Sequence, residues 1–309
     1  MAYRIASLGF PFDSTSIFNR LSIDNDLLFR IIAKVVDSEI AISSIREADL
    51  VLVYPYVQTK KAFRIRSKLM VKLWQAGLID PKDILSYSLG LKGKKVLVEA
   101  TENLDDPYWQ RFGWMLRISN LPRLTFWPDA LDPAGKRFPF WHKYLDWPEF
   151  PRNPGCYQRF GRLYDLDRLM RPLPIEEREE RALLISSHNN FFPRPAILSL
   201  IRGKVPVDIY GRSGIQFEGA KLEIMQKYKY CLTPENTLGF GYCTEKIPES
   251  WMAGCVPIGI FPQAFSDFNS NVLLWDNIHD TRPMEEPLLT HRPDLHSVVE
   301  YVSRAIHGS

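Results

Sequence analysis

Apolar residues along the chain come in short runs, several of them followed by a stretch whose apolar positions recur three and four apart. YRIASLGF (3–10), DLVLVYPYV (49–57) and KKVLVEA (94–100) are such runs in the first half, with a helical pattern over 60–76 between the last two. Strands buried on both faces show no alternation, so runs of this kind separated by helix-length stretches predict a parallel sheet covered on both sides. From 121 to 175 prolines and aromatics crowd the chain (FWPDALDP, FPFWHKYLDWPEFPRNPG), which predicts irregular structure and a crossover between domains. The rhythm then resumes, with strands over 181–190, 205–214, 228–236, 255–261 and 271–278 and helices over 194–203, 217–228 and 244–254. A closing amphipathic helix (295–306) sets Leu295, Val298, Val299, Val302 and Ile306 on one face.

At 309 residues and 35.9 kDa the chain is long enough for two domains of ordinary size, and the fold class expected is α/β. A net charge of +3 is too small and too scattered for a nucleic-acid binder, and agrees only weakly with an anionic ligand. Cys156, Cys231, Cys243 and Cys255 lack the spacing of a zinc site or a disulfide framework and are read as reduced and cytosolic. The N-terminus reads as a strand rather than a signal peptide, and no apolar run is long enough to span a bilayer.

In open α/β sheets ligands sit at the carboxyl ends of the strands, so the polar residues there are the ones to examine. TPENTLGFGYCTEK (233–246) is the densest such stretch. A strand ends at Pro234, Glu235 and Asn236, and Gly239 and Gly241 can take positive φ in the loop beyond. Thr244 is expected as a helix N-cap, with Glu245 and Lys246 in the first turn, where free N–H groups and a lysine would favour a phosphate. A capped helix with solvated charges would explain the last three residues, but it does not require a polar strand end as well. Neither a Gly-x-Gly-x-x-Gly nor a Walker loop is present.

SSHNNFFPRP places Arg194 at the start of another helix, where a guanidinium can grip a diphosphate bidentately or simply face solvent. Tyr210 lies in DIYGRSG (208–214), either a turn along a nucleotide or a plain one. In the first half, VLVEATEN puts Glu99 and Glu102 at a strand end, as a candidate general base or as loop carboxylates. Asp165 and Asp167 form a D-x-D inside the crossover, away from the strand ends, and are discounted as a metal site. KKAFRIRSKLMVKL (60–73) is a basic helix that fits a solvated face better than an anionic membrane surface.

The stretches YKYCLTPENTLGFGYCTEKIPESWMAGCVPIGI (228–260) and ALLISSHNNFFPRPAILSLIRGKVPVDIYGRSG (182–214) resemble the α-1,3/4-fucosyltransferases. These are inverting enzymes that move L-fucose from GDP-fucose to a hydroxyl of N-acetylglucosamine or glucose. The resemblance is carried by Glu-Asn-Thr, an aromatic-rich gap, Tyr-x-Thr-Glu-Lys and a Val-Pro strand, with Pro234 where the family usually has Phe.

That resemblance implies a GT-B architecture of two Rossmann-like domains facing across a cleft. An acceptor half would occupy 1–150 and a donor half 151–309, the latter carrying the C-terminal helix. Arg194, Tyr210, Glu235, Asn236, Gly241, Tyr242, Glu245 and Lys246 would bind the donor. Lys246 and Arg194 would neutralise the pyrophosphate and Glu245 would meet sugar hydroxyls. Glu102 would be the base, with Glu99 as the alternative. The implied partners are GDP-fucose or a related GDP-sugar and an oligosaccharide acceptor, with no nucleic acid and no metal cofactor. The chain would be cytoplasmic, with at most peripheral contact at the inner face of the membrane. The readings that compete are a transferase for another GDP-deoxyhexose and an inactive module that binds a sugar nucleotide or glycan.

Overall fold

A computed structural model describes residues 2–9, 25–54, 61–101, 110–186, 193–212, 214–235, 239–261, 267–273 and 278–308. Two compact units emerge, one made of Met1–Pro139 with Asp294–Ser309 and the other of Phe140–Pro293.

In the first unit, β1 (Tyr3–Leu8), β2 (Ile40–Ile42), β3 (Leu50–Val53), β4 (Val96–Ala100), β5 (Arg123–Thr125) and β6 (Gly135–Arg137) form one sheet in the order β2-β1-β3-β4-β5-β6. Every pairing is parallel. All residues of β3 and β4 are buried, as strands covered on both faces must be. Between the strands of this unit run α1 (Leu27–Val36), α2 (Lys61–Gln75), α3 (Ile84–Leu89) and α4 (Gln110–Ile118). Asp26 caps α1 by accepting from the N–H groups of Leu28 and Phe29, at 2.9 and 3.3 Å.

Strands β5 and β6 fall inside the stretch whose prolines and aromatics predicted irregular structure. At three residues each they are too short to show a period, and tertiary contacts hold them. Arg123 in β5 is buried and paired with Asp132 at 2.6 Å, and its guanidinium also donates to the carbonyls of Ser119 and Leu121.

In the second unit, β7 (Glu179–Ile185), β8 (Val207–Tyr210), β9 (Tyr228–Leu232) and β10 (Val256–Ile258) make a four-stranded parallel sheet in the order β10-β9-β7-β8. α5 (Leu166–Leu169) precedes this sheet, and α6 (Arg194–Arg202), α7 (Lys221–Met225) and α8 (Lys246–Met252) connect its strands. No strand forms at the start of 271–278: Ser270–Val272 is a single 3₁₀ turn, capped by Asn269 accepting from the Asn271 N–H. Residues 274–277 of that expectation lie outside the described residues.

The terminal helix α9 (His296–His307) belongs to the first unit, not to the second as the sequence suggested. It packs on α1 and buries Val298, Val302 and Ile306. Tyr301 fixes its position, its hydroxyl accepting from the Arg123 N–H at 2.9 Å and donating to the Ala134 carbonyl at 2.8 Å. The division between the units falls at 139/140 where 150/151 was expected, because Phe138 still joins the first sheet by donating its N–H to the Thr125 carbonyl at 2.7 Å.

Candidate functional site

The order of the second sheet fixes where a ligand can bind in that unit. From β7 the chain crosses through α6 to β8 on one side, and from β9 it crosses through α8 to β10 on the other. The carboxyl ends of β7 and β9 therefore flank a topological switch point, where crossovers leaving in opposite directions open a crevice. Registers Leu184↔Leu232 and Leu232↔Ile258 bring those ends level. Arg194 follows β7 there, and residues 233 to 246 follow β9.

Glu235, buried just beyond β9, ties the loop to the start of α8. One of its oxygens accepts from the Thr244 N–H at 2.7 Å; the other accepts from the Thr244 hydroxyl at 2.7 Å and from Lys246 Nζ at 2.9 Å. Thr244 is thus not the N-cap that the sequence predicted. The helix begins at Lys246 with Glu245 as its cap residue and no side-chain cap bond, because the Thr244 side chain is spent on Glu235. Gly241 takes φ 80°, so the expectation of positive φ holds at that residue.

The cleft at this crevice is lined by Arg159, Arg194, Lys221, Thr233, Glu245, Lys246 and Glu249 among others. Burial disfavours the Glu245 carboxylate, but Lys246, Lys221 and Arg159 outweigh it and bring its pKa down to about 2. Burial likewise opposes the Lys246 charge, and Glu235 and Glu245 reverse that, leaving it raised above its ordinary value. Arg194 is lowered by burial, with Glu235 and Tyr242 acting in the opposite direction. Each group keeps its charge at neutral pH. Counting Glu235, four cations face three carboxylates, a surplus of one positive charge.

Beneath Glu245 lies a second buried pair. Lys221 Nζ donates to Glu249 Oε2 at 2.6 Å and stands 4.0 Å from Glu245 Oε1, while the Tyr157 hydroxyl donates to Glu249 Oε1. The side chains of Lys221 and Glu249 are 6% and 3% exposed. Arg159 differs from both lysines, since among the described residues its guanidinium has no hydrogen bond or ion pair within 4 Å; burial opposes its charge, and Glu245, Tyr157 and Glu249 at longer range outweigh burial.

The structure therefore gathers Arg194, Glu235, Tyr242, Glu245 and Lys246 around one crevice. Tyr210 ends β8 in register with Ile185 at the carboxyl edge of the sheet, but it is not among the residues lining the crevice, and its hydroxyl sits 3.3 Å from that of Tyr228. Asn236 and Glu102 lie outside the described residues. Glu99 is buried at the end of β4, where it accepts from the Thr101 hydroxyl at 2.7 Å and is hydrogen-bonded to Tyr54. The D-x-D is occupied structurally, Asp165 capping α5 and Asp167 pairing with Arg292 at 2.5 Å. Among the described residues no group of three or more potential ligands could hold a metal ion.

Sequence reasoning missed Tyr157, Arg159, Lys221 and Glu249. Tyr157 and Arg159 were hidden in the proline-rich crossover, and Lys221 in a helix read as ordinary. Glu249 did leave a signal, because it stands four residues after Glu245 and so shares its helix face.

Residues 175–270, which hold this crevice, match the model of the C-terminal domain of glycosyltransferase family 10 (fucosyltransferase). Over that stretch the chain resembles the family 10 fucosyltransferases. A fucosyltransferase-like protein of Arabidopsis thaliana is 31% identical over 101 residues, which cover 31% of this chain and 20% of that protein. Alpha-(1,3)-fucosyltransferase FucT of Helicobacter pylori is 36% identical over 69 residues, covering 22% and 14% respectively. The chain thus aligns with only a small part of each of these curated relatives. A crystal structure of an α1,3-fucosyltransferase with GDP-fucose superposes with a TM-score of 0.53 at 17% identity, over 99% of this chain and 80% of that one. The same enzyme class with GDP gives 0.53 at 18% identity, over the same shares. At such identities the likeness concerns the fold, and with it this chain shares the GT-B class that the resemblance implied.

Proposed function

We propose that this chain is an inverting glycosyltransferase that moves L-fucose from GDP-fucose to a hydroxyl of a glycan acceptor, without a metal ion. The observation that carries the reading is the cationic crevice of the second unit, where Arg194, Lys246 and Arg159 converge beside an ionised Glu245. Breaking the bond to the diphosphate puts negative charge on the leaving group, and fixed cations at that place stabilise the transition state. Glu245, held as a carboxylate, can accept hydrogen bonds from sugar hydroxyls. Lys246 is paired with Glu235 at 2.9 Å, and Arg194 and Arg159 line the same crevice.

The first unit would supply the base that takes the proton of the incoming hydroxyl. Glu99 already accepts hydrogen bonds within its own unit, which favours Glu102 for that role. The reading places the enzyme in the cytosol. No helix among the described residues is long and apolar enough to cross a membrane.

The deciding experiment is a donor panel in which each GDP-sugar is incubated with and without a glycan lysate and GDP release is followed. Acceptor-dependent release from GDP-fucose alone is expected. Release from a different GDP-deoxyhexose would replace the donor, and tight GDP binding with no turnover of any donor would overturn the enzymatic reading. In the same assay Glu102→Gln should abolish transfer with GDP affinity nearly unchanged, whereas Glu99→Gln should retain activity.

A further inference from the structure

Helix α2 carries Lys61, Arg64, Arg66, Lys68 and Lys72 and no acidic residue. Only Phe63 and Ser67 are buried, which defines the side turned toward the body of the unit. At 3.6 residues per turn, Lys61, Ile65, Leu69 and Lys72 fall within an arc of about 80° on the opposite side. All four are exposed, and Ile65 and Leu69 remain 59% and 52% accessible. Leu78, just past the helix, is 70% exposed, and Trp114 of α4, 37% exposed, reaches the last turn of α2 through a ring contact with Trp74 at 5.5 Å. Four of the nine exposed large apolar side chains among the described residues thus lie on or beside this one helix. A helix whose outer face only met water would have no use for two adjacent aliphatic side chains between lysines.

We propose that the outer face of α2 docks on the headgroup face of a bilayer rich in anionic lipid. Cations attract the negative surface while Ile65 and Leu69 enter the headgroup–acyl boundary, and the lysine stems lie along the same surface with their ammonium groups in water. Charge complementarity selects this occupant: five cations with no acid on the helix suit a surface whose charge is uniformly negative and can be approached from any angle. A protein partner would require matched acids at fixed places. The inference concerns the first unit alone and is independent of the donor site.

The test is sedimentation of the chain with vesicles of phosphatidylcholine alone or with about 30 mol% phosphatidylserine, at low and high salt. Binding that needs phosphatidylserine and falls with salt is expected, since exposed charges are screened within about 8 Å at physiological ionic strength. Each cation near the surface is worth about fivefold in affinity, so Lys61→Glu/Lys68→Glu/Lys72→Glu should weaken binding by about 100-fold or more. Ile65→Ser/Leu69→Ser should weaken it at least about tenfold with all charges intact. These residues are exposed, so unchanged melting temperatures and GDP affinities should confirm that both variants fold. Equal sedimentation with both vesicle types, or phosphatidylserine binding that survives the triple substitution, would overturn the proposal. So would loss of charge-dependent binding only, with the Ile65→Ser/Leu69→Ser variant behaving as the native chain.

Discussion

The buried pair Lys221–Glu249 offers a sharp measure of how the crevice of the second unit is held. Replacing Glu249 by leucine removes the carboxylate 2.6 Å from Lys221 Nζ and strips the Tyr157 hydroxyl of its acceptor. Lys221, with a side chain only 6% exposed, keeps Glu245 at 4.0 Å as its remaining counter-charge. Breaking a buried pair in this way costs about 3–5 kcal/mol, and the orphaned hydroxyl falls within that total. Lys221→Met alone should cost about as much, since it leaves Glu249 buried without its cation. The double variant Lys221→Met/Glu249→Leu removes both charges and replaces them with apolar side chains, so it should return to within about 1–2 kcal/mol of the native chain. Urea unfolding followed by a probe in the second unit would measure all three. Donor affinity should not recover with stability, because Glu245 loses one of the cations that hold it ionised. If the double variant were as unstable as the sum of the singles, the pair would not be an electrostatic unit and the reasoning would fail.

Other expectations follow from the same geometry. Arg159→Ala should weaken GDP binding about tenfold or more, on the scale of one hydrogen bond to a charged group, while leaving guanosine affinity unchanged; calorimetry showing equal losses for both ligands would rule out a phosphate contact. The Glu245 pKa of about 2 against an ordinary 4.5 means its ionised form favours the folded unit above pH 4.5 and that this contribution disappears as pH falls toward 2. The difference in melting temperature between the native chain and Glu245→Gln should therefore shrink across that window, and a constant difference would contradict the assignment. Gly135→Ala would put a Cβ 2.4 Å from Asp132 Oδ2, and Asp132 is locked by Arg123, so a loss of about 1–3 kcal/mol is expected in thermal or urea unfolding of the first unit.

Much of the site was legible because its residues are adjacent in sequence. Glu235, Gly241, Tyr242, Glu245 and Lys246 sit within one strand-to-helix connection, and in a parallel sheet the position of such a connection is dictated by the strand end. Arg194 was legible for the same reason, as the residue that opens the next connection. The sequence could not show that Glu235 would take the Thr244 side chain, since that depends on a hydrogen bond across a folded loop.

Runs of apolar residues separated by helical periods determined two parallel sheets, because strands buried on both faces need no partner-specific signal. What only the tertiary structure decided involves contacts across many residues. The short strands β5 and β6 are set by the buried Arg123–Asp132 pair, and α9 is drawn back to the first unit by Tyr301. Likewise, Tyr157, Arg159 and Lys221 reach Glu245 and Glu249 from distant segments, so their charges could be matched only once the chain had folded. Local sequence sets periodicity and turn chemistry, whereas the pairing of buried charges depends on the low-dielectric interior that folding creates.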